Sequence, residues 1–579
     1  MSWILGFTGP SLSPSLRERL AALHGDPLHR VEGPRHYLAT GGLPETSRAG
    51  LLPDTPTGTW AVVGLGIQRH DDHCTFLNAE AWRARLALPT PDFSDLDGHF
   101  AVLRWHGGRL EGFTDSLGGR TLYLTTLPEG TALSTRLDWL AALRGGISID
   151  FEAFGTHWLT FNQLSTASLA HDVQRLGPGG YVCCTGQRSD LSERPWMPEI
   201  AETDHDGHAF AQTLSALVRP RMDEGRALTL GLSGGLDSRL LLALRLRDRP
   251  VQTHIFGPPD HPDVQVARRI AAHENLPQYH LYAPVPNADT CLALLRAQVA
   301  QTQAVSAASS VLGLRYYPDL HKQGLALIDG GLGEAARRQF MNRLLRRGRG
   351  ALRTGDPAAI LPYLRVPRAD VFDAETVATM ENGARQQLAL LWQRLPAPAT
   401  LGAENFVDVL GVQTRLPNFF GFEQNRLDGV IQNYMPFAQP SVLKAVFRIP
   451  LSLRRNGRLF RRLIRRQRAS LARYPLVKGS LPYPFFFPTL PAYGWTTFKA
   501  HVGQRYTNPT RVDFLETLKP FALDTVHSEP VRTYLAYDHT RLVRLVESYY
   551  NGQPALAAPV DWWLAFEMWR RVLSGTDRL

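Results

Sequence analysis

The chain has 579 residues, 44% of them hydrophobic and 20% charged, the composition of a globular protein with sizeable cores. A length of this order allows about three to four domains, or two large ones. No apolar run approaches the roughly 18 residues that span a bilayer, and the opening MSWILGFTGP has no basic n-region, so neither a membrane span nor a secretory signal is expected. The four cysteines, Cys74, Cys183, Cys184 and Cys291, lack C-x-x-C spacing; this speaks against a zinc site or a disulfide framework and fits a reducing cytoplasm.

The net charge of +10 is local. Arg337–Arg353 holds seven arginines and no acid, and Arg454–Arg473 holds nine and no acid, so the rest of the chain is net acidic. Two readings stay open for these runs: solvated helix faces, or an electropositive rim for phosphates or an acidic peptide. Nucleic acid is the weaker reading.

In chain order, Ile4–Gly9 is expected as a strand and turn, and Trp60–Ile67 as a second apolar strand. Gly98–Leu103 and Leu110–Thr114 form a predicted hairpin around Gly107-Gly108. Asp115–Leu124 is a turn followed by a strand, Ala132–Thr135 precedes an amphipathic helix near Leu137–Leu143, and aromatic Phe151–Leu164 is expected to be helical. Leu176–Gly180 is a tight turn before strand Tyr181–Cys184, whose cysteines are core candidates. Many strands with few helices imply an α+β sandwich. Polar Gly186–Gly207, with Pro195 and Pro198, marks a domain boundary.

After a predicted helix at His208–Val218 comes LTLGLSGGLDSRLLLAL, Leu228–Leu244. A buried strand, Leu228–Leu232, runs into a turn of Ser233, Gly234, Gly235, Leu236, Asp237 and Ser238, and a helix is expected over Arg239–Leu246. Strand, glycine turn and helix start hold a phosphate chain, because the unpaired N–H groups and the positive helix end face the anion. Glycines let the backbone approach. The Lys-Ser/Thr of a P-loop kinase or GTPase is missing. An Asp stands there instead, and a carboxylate beside polyphosphate calls for a divalent ion such as Mg²⁺. Val251–Gly257 and Gln278–Tyr282 are further strands around a helix at Asp263–Glu274, with Val264, Ala267, Ile270 and Ala271 on one face. The alternation implies a parallel sheet with its ligand at the carboxyl ends of the strands.

SGGLDS resembles the pyrophosphate loop of ATP pyrophosphatases, which cleave ATP to AMP and pyrophosphate. LDGHFAVLRW, FTDSLGGRTLYL, LSTRLDWLAAL and LGPGG resemble the glutaminase domain of asparagine synthetases, and the order matches along nearly the whole chain. The resemblance implies an α+β, Ntn-type glutaminase-like sandwich over residues 1–200. An α/β adenine-nucleotide hydrolase-like synthetase domain with a parallel sheet would then occupy 205–579. One departure is chemical. Glutaminases of this class begin Met-Cys-Gly, whereas this chain begins Met1-Ser2-Trp3 and has Thr114-Asp115 in place of the family's Arg-Asp. A serine hydroxyl without a dedicated base is a poor nucleophile, so the implied domain keeps the fold without hydrolysing glutamine.

The same resemblance places adenine contacts at the backbone of Leu230 and Leu232 and near Phe256. It aligns Leu325–Glu334 (LALIDGGLGE) with the family's G-E-G-A-D-E turn. Gly330 then joins the pyrophosphate site, and Glu334, or by another register Gly333, stands for the family's second metal ligand, with Asp329 in reserve. Asp237 and Glu334 are thus the implied Mg²⁺ carboxylates; the alternative is that Glu334 caps the next helix. Arg337 and Arg338 face phosphate or the surface. Gln432 and Tyr434 stand where the family segment before Pro436-Phe437 has an acid and an Arg, which implies a different acyl or amine substrate. Glu423 is the candidate general base or else a salt-bridge partner. Lys478, after the basic helix Arg458–Arg468, is the candidate cation for pyrophosphate or else a solvated loop lysine. Pro482–Pro491 (PYPFFFPTLP) is a candidate lid or docking surface, and Leu542–Tyr550 and Trp562–Leu573 are closing helices.

These expectations describe an ATP- and Mg²⁺-dependent synthetase that adenylates a carboxylate and couples it to an amine. Among its relatives in habit, lasso peptide cyclases, ahead of β-lactam synthetases, suit the Arg-rich rim. The partner would then be a precursor peptide, served by a leader peptidase or a leader-binding protein. A small carboxylate and amine, as in an asparagine synthetase, is the alternative, and a catalytically dead scaffold is the reading from another class. Neither a membrane nor a nucleic acid is expected as partner.

Overall fold

The structure, a computed structural model, describes residues 2–53, 58–245, 251–503, 506 and 508–575. Met1 of the Met1-Ser2-Trp3 start and Leu246 at the end of the expected loop helix lie outside them.

The first part is a sandwich of two sheets. Trp3–Thr8 pairs antiparallel with His36–Gly41 and Gly130–Ser134, inside a six-stranded sheet completed by His29–Glu32, Leu122–Leu127 and Gln174–Leu176. In the second sheet Thr59–Arg69 pairs with Asp97–His106, which turns through Gly107 and Gly108, φ 57° and 77°, into Arg109–Thr114. Two consecutive left-handed residues make the tight hairpin that glycine permits at no steric cost. Alternate residues of both sheets, among them Ile4, Leu38, Val63, Leu103, Leu124 and Val182, fill the layer between them.

Three boundaries differ from expectation. The helix from Phe151 ends at Leu159, where the Thr160 hydroxyl donates to the carbonyls of Thr156 and Asn162 (2.8 and 2.7 Å) and takes the chain out of the helical path. Arg188–Glu193 is an edge strand paired with Gly180–Thr185; it lies largely exposed, so it carries no apolar alternation to read. Asp237 and Ser238 are not in the turn but in the first turn of a helix, Leu236–Arg245. There an acidic side chain meets the positive helix end.

The second part is built on a five-stranded parallel sheet, ordered Gln278–Leu281, Gln252–Phe256, Ala227–Gly231, Leu325–Ile328, Asn433–Tyr434. The central strand is the one that feeds the glycine loop. The helices His208–Leu217, Leu236–Arg245, Pro262–His273 and Arg458–Gln467 contribute to one apolar cluster with it, the last through Leu459, Phe460, Leu463 and Ile464. The two parts are fused. Pro220–Arg221 extends the second sandwich sheet beside Cys74–Phe76. The final helix, Ala557–Ser574, buries Trp563, Phe566 and Trp569 in the cluster that also holds Trp3, Leu5 and Phe7. All four cysteines are free. Among the described residues no helix is long and apolar enough to cross a membrane.

Candidate functional site

The glycine loop sits at the carboxyl edge of the parallel sheet, between the ends of Ala227–Gly231 and Leu325–Ile328. Its amides are engaged locally. Ser233 N donates to Ser238 Oγ (3.1 Å), Gly235 N to Ser233 Oγ (3.2 Å), and Gly234 N to the carboxylate of Asp263 (2.9 Å). Asp263, at the start of its own helix, is thus an anionic group already held by a loop amide. Close packing favours glycine at 234: a Cβ there would lie 2.5 Å from Val477 Cγ2 and 2.9 Å from Asp263 Oδ1. Val477 in turn donates its amide to the Gly234 carbonyl (3.0 Å), which pins the hairpin Leu476–Lys478/Leu481–Tyr483 to the loop one residue before Lys478.

Asp237 stands on the other glycine turn. A Cβ on Gly330 would lie 2.8 Å from Asp237 Cβ, and one on Gly333 would lie 2.4 Å from Asp237 Cγ. Both carboxylate oxygens accept from Arg337, at 2.6 Å from Nε and 2.9 Å from Nη2, the bidentate geometry that suits a guanidinium. Burial works to lower the Arg337 pKa, but the charges of Asp237 and Glu334 outweigh it and raise the value. Glu334 also faces Arg415, 3.6 Å away. Lys478 lies near this group. Partial burial, then the cations Arg337 and Arg346, hold its ammonium below the usual lysine range.

A second cluster adjoins the turn. The Asp329 carboxylate accepts from Gly331 N (2.7 Å); burial first, and then the charge of Glu423, push its pKa up. Glu423 receives Arg426 on Oε2, while its Oε1 is buried with no partner among the described residues. Arg426 also donates to Gln298 Oε1 (3.1 Å). Tyr317 connects this cluster to the adjacent strand: its ring meets Phe256 edge-on at 5.4 Å, and its hydroxyl, its pKa raised chiefly by burial, also feels Asp329 and Glu423.

The structure therefore gathers Ser233, Gly234, Gly235, Asp237, Ser238, Gly330, Glu334 and Lys478 around one loop, with Glu423 and Phe256 beside them. The side chains of Leu230, Leu232 and Leu236 are buried in the apolar core. The backbone of Leu230 lies in register with Thr253 and Ile328 within the sheet, and Leu232 N donates to His254 O (2.9 Å). Arg338 does not face phosphate. It is buried against Asp408 (2.6 Å), which Arg454 also holds (3.1 Å). Several of the clustered arginines are thus spent on internal pairing. Asp263, Arg415 and Tyr317 carry no motif and escape sequence reading. The arginine run hides Arg337 among its equals. Among the described residues no group of three or more His, Cys, Asp or Glu side chains forms a metal site.

Ser2, just before the strand Trp3–Thr8, is fully buried. Its hydroxyl lies 2.6 Å from Thr46 Oγ1 and donates to the carbonyl of Asp428 (2.8 Å) in the second part of the chain. The Asp428 carboxylate is bound by Arg120, by His99 Nε2 (3.0 Å) and by Asn433 Nδ2 (2.8 Å). Asp115 accepts from the backbone amides of Phe100, Leu117, Gly119 and Arg120, so it organises the turn that presents Arg120.

Residues 209–327 match the family model described as asparagine synthase. Among solved structures, glutamine phosphoribosylpyrophosphate amidotransferase from B. subtilis, complexed with ADP and GMP, aligns at 9% identity and a TM-score of 0.22, covering 57% of this chain and 81% of that one. A structure of the allosteric regulatory enzyme of purine biosynthesis aligns at 11% identity and a TM-score of 0.22, covering 63% and 79%. No curated protein sequence matches. The matched span, residues 209–327, holds the glycine loop and the central strands of the parallel sheet, and over that span the chain is similar to asparagine synthase.

Proposed function

We propose that this chain activates a carboxylate of a peptide as its acyl-adenylate and closes it onto an amine of the same peptide, a macrolactam-forming reaction of the lasso cyclase type. The observation that carries the adenylation step is the seat of Asp237 on Gly330 and Gly333, beside the loop and Lys478. The substrate carboxylate oxygen attacks the α-phosphorus of ATP, and the bond to the bridging oxygen breaks, releasing pyrophosphate. The loop and the Lys478 ammonium stabilise the departing charge. The amine then attacks the acyl carbon, AMP leaves, and the proton shed by nitrogen passes to Glu423, whose Oε1 is unpartnered among the described residues. Mg²⁺ takes one or two carboxylates plus phosphate oxygens. Asp237 and Glu334, both drawn to the charge of Arg337, are the hard oxygen donors that fit it, and it would neutralise phosphate charge there.

The buried Ser2 hydroxyl supports an amine supplied by the substrate rather than ammonia from glutamine. Four free thiols suit a reducing cytoplasm, and a precursor peptide would bring a leader peptidase or a leader-binding protein as partner. A second reading, asparagine synthetase or another small-molecule amide synthetase, is favoured by the Asp329, Glu423 and Arg426 cluster, whose mixed charges suit a free amino acid.

Carboxylate-dependent exchange of pyrophosphate into ATP decides. Exchange driven by a peptide carrying Asp or Glu, with AMP as product and loss in Asp237→Ala, supports the first reading. Exchange with free aspartate alone supports the second. ADP as product overturns both.

A further inference from the structure

Helix Thr489–His501 buries a single residue, Ala492. Its remaining apolar residues face outward. Leu490 is 66% exposed, Phe498 62% and Tyr493 56%, and Phe486, before the helix, and Val502, after it, are similarly open. Leu490, Tyr493 and Phe498 lie within the helix, and Phe486 and Val502 carry the exposed apolar segment past its two ends. Scattered exposed apolar residues are ordinary, whereas a contiguous patch marks a contact surface.

This segment shares Phe486, Trp495 and Lys499 with a cavity of about 470 Å³ that is lined further by prolines, Tyr483, Phe485 and Arg473, with no acid. The Arg465 guanidinium lies 5.9 Å from the centre of the Phe486 ring, and Lys499 Nζ lies 5.4 Å from that of Trp495. Among the described residues none of Arg465, Arg473 and Lys499 has a carboxylate partner. The charge pattern runs beyond the cavity: from Gly429 to Val512 the sequence contains no Asp or Glu at all. The surface is tied to the nucleotide loop. Arg461 donates to the carbonyls of Phe485 and Phe487 (2.7 and 2.8 Å), Gln339 reaches Thr489 Oγ1 (3.3 Å), and Tyr483 feels the charges of Arg337 and Asp237.

We propose that this face, Tyr483–Val502 with Arg465 and Arg473, docks an acidic peptide segment bearing aromatic or aliphatic side chains, the part of the substrate that flanks the reacting carboxylate. The inference rests on the peptide reading given above. Apolar side chains enter the proline- and aromatic-lined cavity, while carboxylates meet the uncompensated cations, the complementary pattern that steers and orients a bound chain. A membrane would use the same residue types. The concave cavity and its tether to the loop favour a chain that must reach the α-phosphorus.

The test uses the full-length protein, a fluorescent Glu/Phe/Leu peptide, its Lys-for-Glu counterpart, and phosphatidylglycerol vesicles. The acidic peptide is expected to bind and the basic one not. Leu490→Glu with Phe498→Glu, and separately Lys499→Glu, should each weaken binding by about tenfold or more, and ATP binding should be unchanged. Wild-type affinity in both variants overturns the proposal, as does vesicle binding that the peptide does not compete. If instead the variants lose the peptide while no peptide drives pyrophosphate exchange in the wild type, the docking surface stands and the cyclisation reading fails.

Discussion

Gly333 lies so close to Asp237 that a Cβ added to it would stand 2.4 Å from the carboxylate carbon and 2.7 Å from Oδ1. Gly333 is not among the residues with positive φ, so its backbone does not require glycine, and at the first position of a helix alanine would ordinarily be the better residue. The carboxylate of Asp237 is the reason for the glycine. Gly333→Ala should therefore fold normally and push Asp237 out of place. A misplacement on the order of 1 Å at a reacting centre costs about 10²-fold in rate. Pyrophosphate exchange is expected to fall by that order with the melting temperature preserved, and an unchanged exchange rate would show that Asp237 does not take part.

Arg337 ties the two carboxylates together electrostatically. Without it, Asp237 loses its bidentate guanidinium partner, while Glu334 keeps Arg415 3.6 Å away. Arg337→Ala should cost about 1–3 kcal/mol from the lost charge-assisted pair, and added Mg²⁺ should restore much of that loss. Thermal melts with EDTA and with Mg²⁺ check this. The variant should gain more from the metal than the wild type does, and an equal gain in both would count against these two carboxylates as the metal ligands.

The glycine loop is legible from sequence because its pattern is local: six consecutive residues join a strand of apolar residues to a helix. The seat of Asp237 is not local. Gly330 and Gly333 lie about a hundred residues away, and nothing in LALIDGGLGE says which glycine bears the carboxylate. The strands of the sandwich could be read from their alternation. The strand Arg188–Glu193 could not, since an edge exposed on both faces has no pattern to keep. The fate of the arginine runs was also hidden. Arg338 and Arg454 share the buried Asp408, whereas Arg465 lies over the Phe486 ring with no carboxylate partner among the described residues, and only tertiary packing separates them.

Lys478 gives a pH signature. Its pKa is lowered, first by burial and then by Arg337 and Arg346, so its ammonium loses the proton at a lower pH than a free lysine would. If the protonated form stabilises departing pyrophosphate, activity falls as pH rises through that lowered value. Lys478→Arg keeps its charge to higher pH, so its alkaline limb should move upward even where the altered shape reduces the maximum rate. Lys478→Met should lose about 10²-fold or more in kcat and show no such limb. A limb that stays in place in the arginine variant would assign it to another group.

The Ser2–Asp428 contact joins the sandwich to the second part of the chain. A glutaminase nucleophile needs open space for its amide substrate. The Ser2 hydroxyl instead has no exposure and lies between Thr46 Oγ1 and the carbonyl of Asp428, while Arg120 binds both the Ser2 carbonyl and the Asp428 carboxylate. Restoring the nucleophile should therefore not restore the activity. Ser2→Cys places a larger, weakly donating sulfur in a filled site, and ammonia release from glutamine should stay at background. Ser2→Ala should cost only about 1 kcal/mol, because Thr46 still donates to the Asp428 carbonyl (2.6 Å). Asp428→Ala should cost about 3–5 kcal/mol, since it strands the buried Arg120 guanidinium between the two halves. The measurements are coupled detection of ammonia and chemical denaturation. Glutamine turnover by the cysteine variant would mean that the contact with Asp428 opens in solution and that the sandwich retains a substrate pocket.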